Sequence, residues 1–237
     1  MPRNHRSDRD NALQNKTAGS PSRGRNELRI IGGRWRGRKL RFPATTGLRP
    51  TPDRVRETLF NWLAPAIHGA RCLDLFAGSG ALGLEALSRG AAQATFVERD
   101  PVAARSLRET LAALEAGGGT VARADAGAYL AGEASPFDVV FLDPPFAEDL
   151  VQACLARLVA GGWLAPGARV YVEQPAARGR PAWPAPLAAH RSGRAGEVGY
   201  HLAVLSAGSG TWPPTTSAEP SIRGLSIRSP TGTTTWC

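Results

Sequence analysis

Apolar and polar positions change rhythm several times along the chain, and each change predicts an element. From Leu28 the pattern LRII, a Gly32-Gly33 break and RWRGRKLRF predicts two short strands around a glycine-rich turn. On the second strand Arg34, Arg36 and Arg38 would alternate onto one face at about 6.6 Å spacing. Next, Val55, Leu59, Trp62 and Leu63 recur at helical spacing. Thr51 is read as the N-cap of that helix, with Pro52 at its first position and Asp53 on the positive dipole end. Arg54 and Arg56 fall off the apolar stripe and are expected to face a partner.

From residue 71 to 205 strand and helix patterns alternate. Strands are predicted near 71–76, 94–98, 119–123, 137–142 and 168–173, and helices near 80–89, 101–115 and 148–160. The runs 187–192 and 198–205 have no helix between them and read as a closing antiparallel pair. The expected fold class is α/β: a doubly wound, mostly parallel seven-stranded sheet, Rossmann-like, behind an N-terminal hairpin and helix. The expected organisation is a disordered basic segment 1–26, a hairpin and helix extension 27–64, a main domain 65–205 and a disordered Ser/Thr/Pro-rich tail 206–237.

Composition narrows the class. Residues 1–56 hold 15 of the 29 Lys and Arg but 4 of the 20 Asp and Glu, so the chain's net +9 comes from its first quarter. That asymmetry points to a polyanion contacted by the N-terminal element, with Arg34, Trp35, Arg36, Arg38, Lys39, Arg54 and Arg56 as candidate contacts. Trp35 offers a candidate stacking ring. Cys72, Cys154 and Cys237 form no metal-ligand spacing and read as free thiols in a reducing compartment; no metal is expected. The start MPRNHRSDRD lacks an apolar signal core, and no apolar run reaches membrane-spanning length. A cytoplasmic, monomeric protein is the expectation.

Two stretches carry chemistry. Arg71-Cys-Leu-Asp-Leu-Phe-Ala-Gly-Ser-Gly80 is a strand entering a glycine turn that opens a helix. Glu98 then ends the next strand, where a carboxylate clamps ribose hydroxyls. Gly78, Gly80 and Gly83 also fit the dinucleotide pattern, with Glu98 20 residues beyond Gly78. Asp74, however, would repel a pyrophosphate and suit a cationic ligand such as S-adenosylmethionine. Asp125, in ARADA, is placed either to reach an adenine amino group or to cap a following short helix.

The second stretch is Asp138-Val-Val-Phe-Leu-Asp-Pro-Pro-Phe146. Pro144 and Pro145 donate no hydrogen bond and stiffen the turn. What remains is a shelf of acceptors, the Asp143 carboxylate and the Pro144 carbonyl, with the Phe146 ring beside it. Such a shelf suits an exocyclic amine on a flat base. Phe146 itself could stack on that base or pack in the core. If 71–76 and 137–142 flank the point where strand order reverses, the glycine loop and the shelf share one crevice.

DLFAGSG followed by DPPF resembles the amino-methylating branch of class I S-adenosylmethionine-dependent methyltransferases. RIIGGRWRGRKL, LRPTPDRVRETLFNWL, CLDLFAGSGALGLEALSRGA, FLDPPF and GGWLAPGARVYVE extend the resemblance over residues 28–205, to the bacterial 16S rRNA guanine-N2 methyltransferase family (RsmD). The resemblance implies transfer of a methyl group to the N2 of a guanine in small-subunit rRNA, either naked or in a protein-bound particle. It matches Asp74, Gly78 and Gly80 to the cofactor loop, Glu98 to the ribose clamp and Asp143 with Pro144 to the amine shelf; Phe76 and Asp125 join the candidate cofactor residues, and Pro145 and Phe146 the candidate catalytic ones. The competing readings are an adenine-N6 or glutamine-amide methyltransferase and a non-enzymatic RNA-binding assembly factor.

Overall fold

The computed structural model describes residues 26–43 and 51–206. Of the segments expected to be disordered, 1–26 and 206–237, residues 1–25 and 207–237 lie outside the described residues, Cys237 among them.

Alternating side chains dictate the layers. In β3 (Arg71–Asp74) Cys72 faces one way and Leu73 the other; in β6 (Phe137–Leu142) Val139 and Phe141 oppose Val140 and Leu142. Because both faces are apolar, both are covered, as a parallel sheet requires. With β4 (Gln93–Val97), β5 (Gly119–Ala122), β7 (Leu164–Pro175), β8 (Leu187–Ala195) and β9 (Val198–Leu205), they form one seven-stranded sheet in the order β5-β4-β3-β6-β7-β9-β8. The pairs from β5 through to β7 are parallel, and β9 runs antiparallel to both β7 and β8. The expected fold class is the one observed. Strand order reverses at β3, whose neighbours are β4 and β6.

Helices α1 (Asp53–Ile67), α2 (Ala81–Ser88) and α3 (Pro101–Ala113) contribute to one core, and the short α4 (Ala126–Tyr129) and α5 (Val151–Ala160) to the other. Asp100 caps α3 by accepting from the Val102 and Ala103 amides at 2.8 Å, with Pro101 opening the helix. α5 starts three residues later than expected. The Glu148 amide instead closes a turn on the Pro145 carbonyl at 2.9 Å.

The N-terminal extension departs most from expectation. β1 (Asn26–Arg29) and β2 (Lys39–Phe42) do pair antiparallel, with Leu28 opposite Leu40. But Gly33–Trp35 form a turn of 3₁₀ helix, and β2 begins only at Lys39. Arg34, Arg36 and Arg38 therefore share no strand face. The expected row of arginines is corrected, and the cause lies in α2. Ser88 Oγ accepts from the Trp35 amide at 3.0 Å and donates to the Gly32 carbonyl at 2.5 Å. A Cβ on Gly33, whose φ is +75°, would stand 1.8 Å from the Ser88 carbonyl oxygen, so the backbone bends where only glycine fits. Trp35 turns into the core, 7% exposed, with the Arg34 guanidinium 4.0 Å over its ring. It is a packing residue, not a free stacking platform.

Two corrections follow at α1. Thr51 does not cap it, because Pro52 takes the N-cap position and no side-chain cap bond forms. Arg56 does not face outward. Its guanidinium is buried, donating to the Arg29 carbonyl at 2.8 Å and the Thr51 carbonyl at 3.3 Å and pairing with Asp53. Nη1 lies 3.5 Å from Glu85 Oε2 without making a hydrogen bond. The Glu85 carboxylate, fully buried on α2, accepts from the Ile31 and Gly32 amides at 2.9 and 2.8 Å and from Arg89 at 2.7 Å. This cluster joins hairpin, α1 and α2. The pattern missed it because the one-dimensional stripe on α1 does not register a second packing surface.

Candidate active site at the strand-order switch

β3 and β6 lie side by side with Asp74 opposite Phe141, and the Leu75 amide donates to the Phe141 carbonyl at 3.1 Å. The glycine loop and the Asp143 shelf thus leave adjacent strand ends at the switch point, the position where doubly wound sheets bind ligands. The sequence-predicted residues of both motifs are brought together.

Asp74 is 2% exposed and accepts from the Gly83 amide at 3.0 Å. Burial, opposed by that amide and reinforced by Glu98, pushes its carboxyl up to about 7. No cation faces it among the described residues, so it fits a ligand that brings one. Gly78 and Gly80 have φ of +51° and +77°, and the Gly78 amide donates to Glu98 Oε2 at 2.7 Å. Glu98 Oε1 accepts from the Asp100 amide at 2.7 Å, so both carboxylate oxygens are fixed in place at the end of β4 with lone pairs to spare. Gly83 serves packing instead. A Cβ there would meet the Phe96 ring at 2.2 Å, so this glycine lets α2 lie close on β4. Phe76 is half-buried beside the loop.

Asp125 is exposed and its Oδ1 accepts from the Gly127 and Ala128 amides at 2.8 and 3.4 Å, so it caps α4. Of its two expected roles, capping is the one the structure displays.

At the shelf, Asp143 is half-buried, Pro144 buried and Pro145 exposed. Desolvation, then the charges of Glu173 and Asp74, hold the Asp143 carboxyl well above the usual carboxylate range, partly offset by the Thr51 hydroxyl. Phe146 is 39% exposed and belongs to neither core cluster, so the packing alternative for its ring falls away. Beyond it, Glu148 makes a two-pronged pair with Arg99 at 2.7 and 3.2 Å, and Asp149 meets Arg178 at 2.6 Å. These pairs fasten the loop after the shelf to the ends of β4 and β7.

The basic side chains spread along the hairpin. Arg36, Arg38 and Arg54 are exposed without an ionic partner among the described residues, whereas Lys39 pairs with Glu27 at 2.9 Å. Arg34 borders a concavity of about 540 Å³ with Arg89, Gly90, Gly117 and Gly118. Those residues precede β4 and β5, so this hollow is at the strand starts, away from the chemistry. Arg41, which the pattern did not single out, borders a narrow cleft with Gly78 and Ser79 and is the hairpin arginine beside the glycine loop. Thr51, Tyr171 and Glu173 were likewise missed; they reach the shelf from segments distant in sequence, which no local motif records.

Residues 28–204 match the family model described as Conserved hypothetical protein 95. Ribosomal RNA small subunit methyltransferase D of Escherichia coli K12 is 52% identical over 179 residues, covering 76% of this chain and 90% of that protein. The protein of the same name from Haemophilus influenzae is 48% identical over 151 residues, 62% of this chain and 78% of the relative. The solved structure of an Escherichia coli protein assigned as a methyltransferase, yhhF, superposes with a TM-score of 0.72 at 49% identity, covering 77% of this chain and 99% of that one.

Proposed function

Because this chain belongs to the ribosomal RNA small subunit methyltransferase D family, we propose that it methylates the exocyclic N2 of a guanine in small-subunit rRNA, with S-adenosylmethionine as donor. The chain is an rRNA methyltransferase of that family, and no helix among its described residues is long and apolar enough to cross a membrane. The reading rests on one observation above all. An uncompensated buried acid and an acceptor-only shelf stand on adjacent strand ends, with an exposed aromatic ring beside them.

S-adenosylmethionine, when bound, supplies an electrophilic methyl group on a sulfonium. Asp74 would face its cationic amino-acid end, Glu98 its ribose, and the Gly78–Gly80 turn lets the backbone come close. Asp143 and the Pro144 carbonyl accept from the two N2 hydrogens and turn the nitrogen lone pair toward the methyl. Positive charge grows on N2 as the bond forms, so these acceptors act most strongly in the transition state. Phe146 stacks on the base, which must be unpaired or turned out to reach the shelf. Arg36, Arg38, Arg41 and Arg54 meet the phosphate backbone.

Labelled methyl transfer to rRNA from cells lacking this protein, followed by nucleoside analysis, tests the proposal. N2-methylguanosine is expected; N6-methyladenosine in its place would overturn it. Two narrower outcomes follow from the site. Asp74 is neutral below about pH 7, and a cationic ligand prefers it charged. One pH unit below that midpoint cofactor affinity should therefore be about tenfold weaker than well above it, with proton release on binding. Calorimetric titration across the range checks this, and Asp74→Asn should flatten the dependence. Phe146→Ala should raise the KM for rRNA about tenfold while cofactor affinity stays unchanged, reflecting the loss of one stacked base. Equal losses in both binding assays would remove the stacking role.

A further inference from the structure

We propose that Glu173 is a positioning residue for methyl transfer, standing beside Asp143 as a buried acid that, with the Thr51 hydroxyl, sets the proton occupancy of the Asp143 carboxyl. The proposal rests on the reading of Asp143 as the amine's acceptor.

β6 and β7 are parallel with Leu142 opposite Val172, so Asp143 and Glu173 are the next pair in register. Strand alternation puts them on the face of Phe141 and Tyr171. Glu173 is 3% exposed, and its Oε1 accepts from the Tyr171 hydroxyl at 2.8 Å. Thr51, 4% exposed, makes a long contact of 3.4 Å from its hydroxyl to Asp143 Oδ2, and it favours the charged form of Glu173 as well as that of Asp143.

A hydroxyl carries a single proton and can donate to one carboxylate at a time. Thr51 can therefore offset the charge of one of the two carboxylates but not of both at once. The surroundings supply neither with a counter-charge. The groups facing Asp143 are Glu173 from β7, Asp74 from β3 and Thr51 from the segment before α1; those facing Glu173 are Tyr171 and Thr51. Tyr171 in turn feels Tyr200 from β9. All of these are acids or neutral hydroxyls, with no basic side chain among them. Burial raises both carboxyls, and the Glu173 charge raises Asp143 further, so the two titrations are linked.

That proton occupancy bears on the reaction. As the N2–C bond forms and the methyl–sulfur bond breaks, its electrons remaining on sulfur, an N2 proton becomes acidic. The Asp143 carboxylate accepts that proton and passes it to water. Glu173 thereby determines the pH below which Asp143 loses its accepting charge.

The test is the acid limb of the methyl-transfer rate against pH in the full-length protein. Glu173→Gln removes a like charge, so the limb should move about one unit to lower pH. Thr51→Val removes a hydrogen bond that favours the Asp143 anion, so the limb should move to higher pH. Opposite displacements are the signature; loosened packing lowers the plateau without moving the limb in two directions. The ¹³C carboxyl resonance of Asp143, assigned by comparison with Asp143→Asn, should show the same two displacements without substrate. Limbs and resonances that coincide with wild type in both variants overturn the proposal. If wild type transfers no methyl to rRNA, the functional reading fails by itself, and the resonance titration still decides the coupling. Should Glu173→Gln not fold, Tyr171→Phe, which removes the hydroxyl that favours the Glu173 anion, should also move the limb to lower pH, and an unmoved limb there overturns the role of Glu173.

Discussion

Asp143→Ala is expected to lower the rate of methyl transfer by about 10² to 10³-fold while leaving cofactor binding and thermal stability nearly intact. The magnitude is that of deleting one fixed group facing the charge that develops in the transition state. Asp143 sits at the end of β6, beyond the last sheet residue Leu142, so its truncation removes no ladder hydrogen bond. It also relieves crowding, because Asp143 raises the pKa of Tyr171 and is itself raised by Glu173 and Asp74. A stability gain beside a catalytic loss is therefore compatible with the assignment. Single-turnover rates with saturating cofactor and rRNA measure the effect. Retention of the wild-type rate would falsify the acceptor role and with it the amine site.

Arg56→Met is expected to produce the largest loss of stability. The helical pattern alone places Arg56 on an RNA-facing surface, whereas the structure buries it completely against Glu85, Asp53 and two backbone carbonyls. Methionine keeps most of the volume but removes the donors. The Arg29 and Thr51 carbonyls lose partners, and Glu85 keeps only Arg89 and two amides against its charge. Breaking one side of a buried ionic cluster costs about 3 kcal/mol or more. For a domain of this size that corresponds to a fall in Tm of roughly 6 to 12 °C. Activity should fall as well, because Arg56 holds the Thr51 carbonyl and Thr51 reaches Asp143. Thermal unfolding separates the two views of this residue. An RNA contact would lose affinity at an unchanged Tm, while the structural role predicts a lower Tm first. Arg36→Ala and Arg38→Ala, at exposed sites, serve as the contrast, weakening rRNA binding in a salt-dependent way without changing Tm.

These two residues also mark how far the pattern could be read. Asp143 was legible because its signal is local. An apolar run that meets an acid and two prolines must end in a stiff turn of acceptors, and its neighbours in space are its neighbours in sequence. The same holds for Asp74, Gly78 and Gly80, where strand, turn and helix follow within ten residues. Alternation along the strands predicted the sheet's membership and the switch between β3 and β6, because each strand must bury two apolar faces. Arg56 was misread because charge is normally a mark of exposure, and the acid that overrides that rule, Glu85, lies on a different helix.

The hairpin was misread for a related reason. Its alternating arginines look like one face of a strand, but Glu85 and Ser88 on α2 capture the backbone of Ile31, Gly32 and Trp35 and bend it away from strand geometry. Local propensity yields to such contacts readily, since β preference is weak and depends on context. Fold class, the glycine loop and the acceptor shelf were thus determined by sequence alone, each being a property of consecutive residues. Which arginines stay free, whether the Phe146 ring is exposed, and that Thr51 and Glu173 stand behind Asp143 were decided only by tertiary structure. Burial and long-range pairing set the free energy of a charge, and neither is written in the identity of the residues beside it.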